Sequence, residues 1–250
     1  MKSPFTEGNA KLLKEQRVLE FRKEKFSILY HVWECEETKE QFTTNELDNL
    51  NLNQVHNKYR EKYGIPFIDE IKDIRERYGL SATKMSEVLG LGINVYRSYE
   101  AGEMPSVATG RLIRLAGNCE EFSKLLELSK NALEPHEYDK VKKKIDQVQS
   151  DYTIAEEPQE LYLIKSKYPN IHNGYRIPNL DRISIMVQFF AAENNPFLTG
   201  MNKLLFYADF GHFQNHGNSI SGLRYKAIQR GPVPENYGAI YDFMVNKEIV

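Results

Sequence analysis

Residues 81 to 106, SATKMSEVLGLGINVYRSYEAGEMPS, decide how the rest of the chain is read. Ser81 stands where a helix cap belongs, and Met85, Val88 and Leu89 follow at the three- and four-residue spacing of one apolar helical face. Gly90 closes that helix. A second begins near Ile93 with Val95, Tyr96 and Tyr99 directed inward, and Gly102 closes it in turn. Two short helices around a glycine turn have the spacing of a helix-turn-helix. The second is short enough to enter a major groove about 12 Å wide.

Working outward, the same punctuation continues on both sides. Phe67, Ile68, Ile71, Ile74 and Tyr78 form one face of a preceding helix that ends at Gly79. Pro105-Ser106 opens a fourth helix, and Asn118-Cys119-Glu120-Glu121 reads as a capped start for a fifth. Residues 64–131 are therefore expected to form a compact five-helix domain. Upstream, residues 1–63 carry alternating runs, Arg17 to Arg22 and Phe26 to Trp33, that read as two strands with Lys23-Glu24-Lys25 as their turn. Thr43-Thr44-Asn45-Glu46 is expected to act as a capping box in which a threonine accepts the Glu46 amide. The helix it starts runs to Tyr63 and is stopped by Gly64 and Pro66. Downstream, residues 132–179 are polar, include the lysine run 140–144, and read as a connector whose middle can be helical. From 180 to 250 the chain is apolar and aromatic again. Asp181 and Thr199 are expected to cap two helices, Leu223 to Ile228 to form a strand, and Gly231-Pro232-Val233-Pro234 to turn the chain into a last helix through Ile240 and Met244. The expected fold class is mainly α with small β elements, α+β.

Composition narrows the function classes. With 33 basic and 35 acidic residues the formal charge is −2, so any nucleic-acid contact must be local. No run approaches the roughly 18 apolar residues of a membrane span, and the start MKSPFTEGNAKLLKEQ lacks the apolar stretch of a signal peptide. A cytoplasmic chain without membrane contact is expected, and the two cysteines, Cys35 and Cys119, are too few for a disulfide framework. There is no G-x-S-x-G, phosphate loop or H-E-x-x-H, and neither cysteine sits in a histidine pattern, so no enzymatic activity and no cofactor are expected. Asp209, His212 and His216 have a metal-ligand spacing, but Gly211 and Gly217 mark the end of that helix and no fourth ligand is evident. The reading preferred is a structural histidine with a carboxylate partner, and no metal.

Three resemblances carry the functional expectation. Gly90, Tyr99, Glu100, Gly102 and Pro105-Ser106 resemble the signature of the Xre/Cro repressor family. That resemblance implies base contacts by Ile93, Asn94, Arg97 and Ser98, with Asn94 suited to adenine, Arg97 to guanine or phosphate, and Ile93 to a thymine methyl. Thr83 and Lys84 are placed for phosphates. Two positions depart from the family pattern: Gly92 replaces a Ser/Thr cap and Ala82 a glutamine, which leaves open a fold kept as a docking or dimerisation scaffold. Ser3, Thr6, Cys35 and Thr38 fall where a C-x2-C … C-x2-C zinc ribbon would have its ligands, and with FTTNELDNLN and YREKYG they resemble the zinc domain that precedes an Xre domain in a family of bacterial antitoxins. One thiolate and three hydroxyls do not make a zinc site, so none is expected.

The third resemblance spans roughly residues 180–250. KLLFYADF (203–210), GNSISGLRY (217–225) and GPVP (231–234) resemble the Panacea domain of SocA-like antitoxins, a domain that usually runs on for some tens of residues, so a chain ending at Glu248-Ile249-Val250 reads as shortened. Together the resemblances imply a type II antitoxin that neutralises a cognate protein toxin and, as a homodimer, represses its own operon at operator DNA. Tyr207, His212, Arg224, Lys226 and Arg230 are the residues expected to meet the toxin. A mobile-element repressor without a toxin, or an adaptor delivering a toxin to a protease, remain the alternatives.

Overall fold

The computed structural model describes residues 1–154, 168–246 and 248. It is mainly helical, with one three-stranded and one two-stranded antiparallel sheet among the described residues. Strands β1 (Ala10–Phe21) and β2 (Glu24–Cys35) pair over their full length, from Ala10 opposite Cys35 to Phe21 opposite Glu24. Their turn is Arg22-Lys23, not Lys23-Glu24-Lys25. Both residues have positive φ, 51° and 68°, as a two-residue loop needs if it is to follow the right-handed twist of its strands. A short β3 (Gln41–Phe42) joins β2.

Helix α1 (Asn45–Tyr63) starts at Thr44, whose hydroxyl accepts the Leu47 amide at 3.4 Å, so the expected bond to the Glu46 amide does not form. Gly64 ends α1 in the left-handed conformation, φ 64°. Phe26, Ile28, Val55, Tyr59, Ile65 and Met104 make the core between hairpin and helix, with Phe21 edge-on to Tyr59 at 5.0 Å. Trp33 lies outside this cluster, half-buried opposite Leu12 and Phe42.

The next five helices are α2 (Ile68–Arg77), α3 (Ala82–Val88), α4 (Val95–Glu100), α5 (Val107–Ala116) and α6 (Cys119–Leu128). Ser81, Ser106 and Asn118 cap α3, α5 and α6 through their side chains, as the sequence suggests. Their core is built on Ile71, Tyr78, Met85, Tyr96, Ile113 and Phe122; Tyr78 stacks on Phe122 at 3.8 Å and donates to the Ala116 carbonyl. Ile68, expected inside, is exposed. Helix α7 (Pro135–Ile154) belongs to the same core through Tyr138, Val141 and Ile145, with Leu133 just before it. The first part of the expected connector is thus a packed helix whose lysines, such as Lys142 and Lys143, face solvent. Residues 155–167 of that connector lie outside the described residues.

The last part begins with α8 (Leu180–Asn194), capped by Asn179 through the Arg182 amide rather than by Asp181. Helix α9 (Leu198–His216) has Phe197 at its cap position, and Thr199 lies inside its first turn. Strand β4 (Tyr225–Ile228) pairs with β5 (Gly231–Pro234), so the Gly-Pro-Val-Pro stretch is a strand, not a turn. The Glu235 amide donates to the Arg224 carbonyl, which sets the bonding side of β5 and leaves the nitrogens of Pro232 and Pro234 facing away from β4, the positions a strand proline tolerates. Helix α10 (Tyr237–Asn246) closes the core of Ile183, Val187, Leu205, Ile240 and Met244.

Side chains tie these parts together. Arg22 donates to the Met104 and Pro105 carbonyls, Asn57 to the Gly217 carbonyl, and Arg176 pairs with Asp69 at 2.6 Å.

Candidate functional site

Two surfaces bear the residues that the sequence singles out. On the first, Ser86 is wholly buried in α3, and its hydroxyl accepts the Tyr96 amide of α4 at 3.0 Å. The Tyr96 hydroxyl donates in turn to the Ile71 carbonyl at 2.7 Å, fixing both helices on α2. Tyr96 and Tyr99 are core residues. Helix α4 starts at Val95, two residues later than expected, so Ile93 and Asn94 project from the turn ahead of it; Asn94 occupies the cap position without a side-chain cap bond. Ile93 is 65% exposed, Asn94 and Arg97 are exposed, and Thr83 and Ser98 are half-buried, so each of these residues is at least partly accessible. Lys84 is different. Its ammonium sits 3.1 Å from Glu87 and 3.1 Å from Glu137 of α7, and these hydrogen-bonded carboxylates hold its pKa above the ordinary lysine value.

The second surface is organised by Asp209, which is 1% exposed on the inner side of α9. One carboxylate oxygen accepts the amides of Ile220 and Ser221 at 2.9 and 2.8 Å. The other accepts the hydroxyls of Ser221 and Tyr225, the latter at 2.7 Å. Burial and the facing carboxylate push the Tyr225 phenol far above its ordinary range, which keeps it a donor. The loop so pinned runs very close to the chain before α8. A Cβ on Gly222 would stand 2.7 Å from the Arg176 carbonyl oxygen, so only glycine fits there. Between loop, α9 and the 171–174 turn lies a cleft of about 210 Å3 lined by Ile171, His172, Phe210, Phe213, Leu223 and Tyr225. The rings of Phe206 and Phe210 lie 4.1 Å apart, tilted by 32°, beside it, and Tyr207 and Phe210 are 69% and 51% exposed.

The expected toxin-facing residues divide accordingly. Tyr207 stands on the open face of α9. His212 is half-buried with Nδ1 2.7 Å from the Asn218 carbonyl oxygen, so its partner is a carbonyl and not the carboxylate anticipated. Arg224 lies 4.0 Å from Glu235, while Lys226 and Arg230 are exposed along β4 and its turn. Phe210 escaped the sequence reading, although it follows the aspartate of KLLFYADF at the position an outward residue takes.

At the other end of the chain, Ser3-Pro4-Phe5-Thr6 and Cys35-Glu36-Glu37-Thr38 form two matching turns. In each, the fifth residue, Glu7 or Lys39, has positive φ and returns its amide to the first carbonyl, at 3.1 and 3.0 Å. The turns converge on the buried Cys35 thiol, with Thr6 Oγ1 and the Thr38 amide each 3.5 Å from Sγ. The donor set, one thiol and three hydroxyls, does not fit zinc, because neutral oxygens cannot offset dehydration of the ion. No group of three or more metal-binding side chains occurs among the described residues. The Ser3 hydroxyl, then the Thr38 amide and hydroxyl and the Thr6 hydroxyl, bring the Cys35 pKa down to about 6.

This thiolate sets a pH dependence. An unfolded thiol titrates near 9.0, so the stabilisation is complete above that pH and is lost as pH falls through about 6. His31 and His56, lowered mainly by burial, act in the same direction, because below their ordinary 6.5 the unfolded chain takes up the protons. Glu70 and Asp73, raised by burial, act the other way just above the carboxylate range, so the urea midpoint should rise from about pH 6 to pH 8, and Ser3→Ala should flatten that rise. A midpoint falling over this range would contradict the assignment.

Comparison with known families gives one finding. Residues 201–250 match the family described as Antitoxin SocA-like, Panacea domain. The match begins later than the 180–250 span expected from the sequence and takes in the Asp209 network, the aromatic face and the β4–β5 hairpin. No curated protein and no solved structure matches the chain. No helix among the described residues is long and apolar enough to cross a membrane.

Proposed function

We propose that this chain is the antitoxin of a toxin–antitoxin pair, a binding and regulatory protein without catalysis. The observation that carries the reading is the antitoxin-family match over 201–250, the segment that contains the Asp209 network. A pinned scaffold with an exposed aromatic face suits protein recognition, since aromatic side chains supply large contact area at low entropy cost. In this reading Tyr207 and Phe210 are the anchors, Lys226 and Arg230 meet acidic groups of the toxin, and neutralisation is steric or conformational blocking. Co-expression with the product of a neighbouring small reading frame tests it: growth is restored by the intact chain, and by Tyr207→Ala/Phe210→Ala much less. Toxicity that persists beside the intact chain would remove the reading.

The same proposal gives α3 and α4 the task of repressing the operon. It is supported by the exposure of Ile93, Asn94 and Arg97 and by the fixation of α4 through Ser86 and Ile71. Each good bidentate base contact is worth about 1–3 kcal/mol. Asn94→Ala with Arg97→Ala should therefore weaken binding to the upstream DNA by about a hundredfold or more while neutralisation is unchanged. Glu137→Gln should strengthen DNA binding modestly and steepen its salt dependence, because it releases Lys84 from one of its two carboxylates. Equal DNA binding by the Asn94/Arg97 variant and the intact chain would favour the scaffold alternative that Gly92 and Ala82 raise.

A further inference from the structure

The two edges of the amino-terminal hairpin are treated differently. Along β2, helix α1 supplies side-chain amides that imitate a neighbouring strand: Asn51 accepts from the His31 N–H at 2.8 Å and donates to the His31 carbonyl at 2.9 Å. Gln54 does the same for Leu29, at 3.1 and 2.9 Å. Lys58 adds a bond to the Ser27 carbonyl. These bonds also fix the phase of the ladder. Because His31 and Leu29 point their amides and carbonyls away from β1, their partners Lys14 and Gln16 must point theirs away from β2. Leu12, Val18 and Glu20 share that phase. Ala10 shares it too but gives its amide to the Met1 carbonyl, so from Leu12 to Glu20 every second residue of β1 carries outward N–H and C=O groups, with no proline, no bulge and, among the described residues, no strand or helix covering them. Long open edges of this kind are templates for another strand.

We propose that β1 is the self-association surface of this protein, pairing antiparallel with β1 of a second copy about a two-fold axis at Gln16. The sequence selects this register. A two-fold axis normal to the sheet keeps the faces matched, so residue i opposes a residue of the same parity. Centred on Gln16, Glu15 faces Arg17 of the other copy twice, Leu13 faces Leu19, and Lys14 faces Val18. Centring one residue earlier sets Glu15 against Glu15 with no compensating pair, and one residue later opposes Lys14 to Glu20 twice but sets Arg17 against Arg17, so only the Gln16 register has charge pairs and no like-charge contact. Gln16 also lies next to the midpoint of the strand, so nearly all of its outward groups find partners. The 61% exposure of Val18, between Gln16 and Glu20 on the same face, is relieved by the Lys14 stem opposite it.

Sedimentation of the full chain without DNA or toxin tests this, so its outcome is separate from that of the antitoxin reading. A two-chain species is expected at micromolar concentration. Arg17→Glu, which sets like charges opposite one another twice, should weaken it at least about tenfold, and Glu15→Arg combined with Arg17→Glu should restore it to within a few-fold. Gln16→Pro should abolish it with the far-ultraviolet circular dichroism unchanged, because the Gln16 N–H is not used within the hairpin and an edge strand accepts proline there. A monomeric intact chain overturns the proposal. So does a dimer that survives both Arg17→Glu and Gln16→Pro.

Discussion

Asp209→Ala is expected to cost about 3–5 kcal/mol and to unfold much of the carboxyl-terminal part at ambient temperature. The four donors that converge on this carboxylate, two amides and two hydroxyls, are held in place by separate constraints, so they cannot follow its loss. The two amides belong to the 218–223 loop, which is also anchored through Ser219 to the Asn173 carbonyl and through Gly222 against residues 176–178. Each buried donor left unmatched costs about 1–3 kcal/mol, offset only where water enters from the adjoining cleft. Against a typical total stability of about 5–15 kcal/mol the loss is decisive. Asp209→Asn separates hydrogen bonding from charge. Its oxygen still accepts both amides, and the Ser221 and Tyr225 hydroxyls can rotate to accept from its NH2, so a cost of about 1–2 kcal/mol is expected. Urea unfolding followed by near-ultraviolet circular dichroism measures both. An alanine variant within about 0.5 kcal/mol of the parent would show that the network is not what holds the loop.

The consequence for function follows from where the network sits. Phe206 and Phe210 are on the same helix as Asp209, and both rings lie within 6 Å of Tyr225, at 5.4 and 5.8 Å, so the aromatic face and the buried carboxylate share a scaffold residue. Loss of Asp209 therefore removes the proposed toxin surface. The α3–α4 pair has its own core around Tyr96 and should keep its fold.

What the sequence revealed and what it hid follow from which groups do the bonding. The five helices from Ile68 to Leu128 are legible because each has apolar spacing within ten residues or so, and α3, α5 and α6 carry their own capping side chains. Helix α7 was not. It opens on Glu134-Pro135 without a Ser, Thr or Asn cap, and four lysines between 140 and 144 surround Val141, so composition masked a face that only the core around Phe122 makes meaningful. Gly-Pro-Val-Pro reads as a turn because Pro232 and Pro234 fix φ on both sides of Val233 and Gly231 permits a sharp exit from the strand. In a two-stranded sheet each strand has a side where no donor is needed, and alternate prolines occupy it. The Asp209 network was legible only in part. The spacing of aspartate and histidines suggested ligands or partners to one another, but the groups that satisfy Asp209 and His212 are backbone amides and a carbonyl, which a sequence does not display. Ile93 and Asn94 are exposed but precede α4, and the engagement of Lys84 by Glu137 depends on α7, which the sequence does not display.

The amino-terminal turns support the second large effect: Ser3→Cys, Thr6→Cys and Thr38→Cys together should convert the Cys35 cluster into a zinc site. Tetrahedral zinc with thiolate bonds of about 2.3 Å needs sulfurs about 3.8 Å apart. Thr6 Oγ1 is already 3.5 Å from Cys35 Sγ, and the paired left-handed residues Glu7 and Lys39 give both turns the same return of chain. The three hydroxyls are hydrogen-bonded to the Cys35 thiol and lower its pKa to about 6, so the substitution changes the donors and not the backbone. Structural zinc binding is worth about 10–16 kcal/mol in small peptides at neutral pH, so even a fraction of it exceeds any other single change considered for the hairpin. The triple variant should bind one zinc per chain, gain thermal stability when loaded, and lose it to a chelator, while the parent takes up none at equimolar zinc. Stoichiometric zinc in the parent would refute the reading of the cluster as a hydroxyl-lined thiolate. A triple variant that folds but stays metal-free would show that the two turns, though matched in backbone, do not bring their side chains to a common centre.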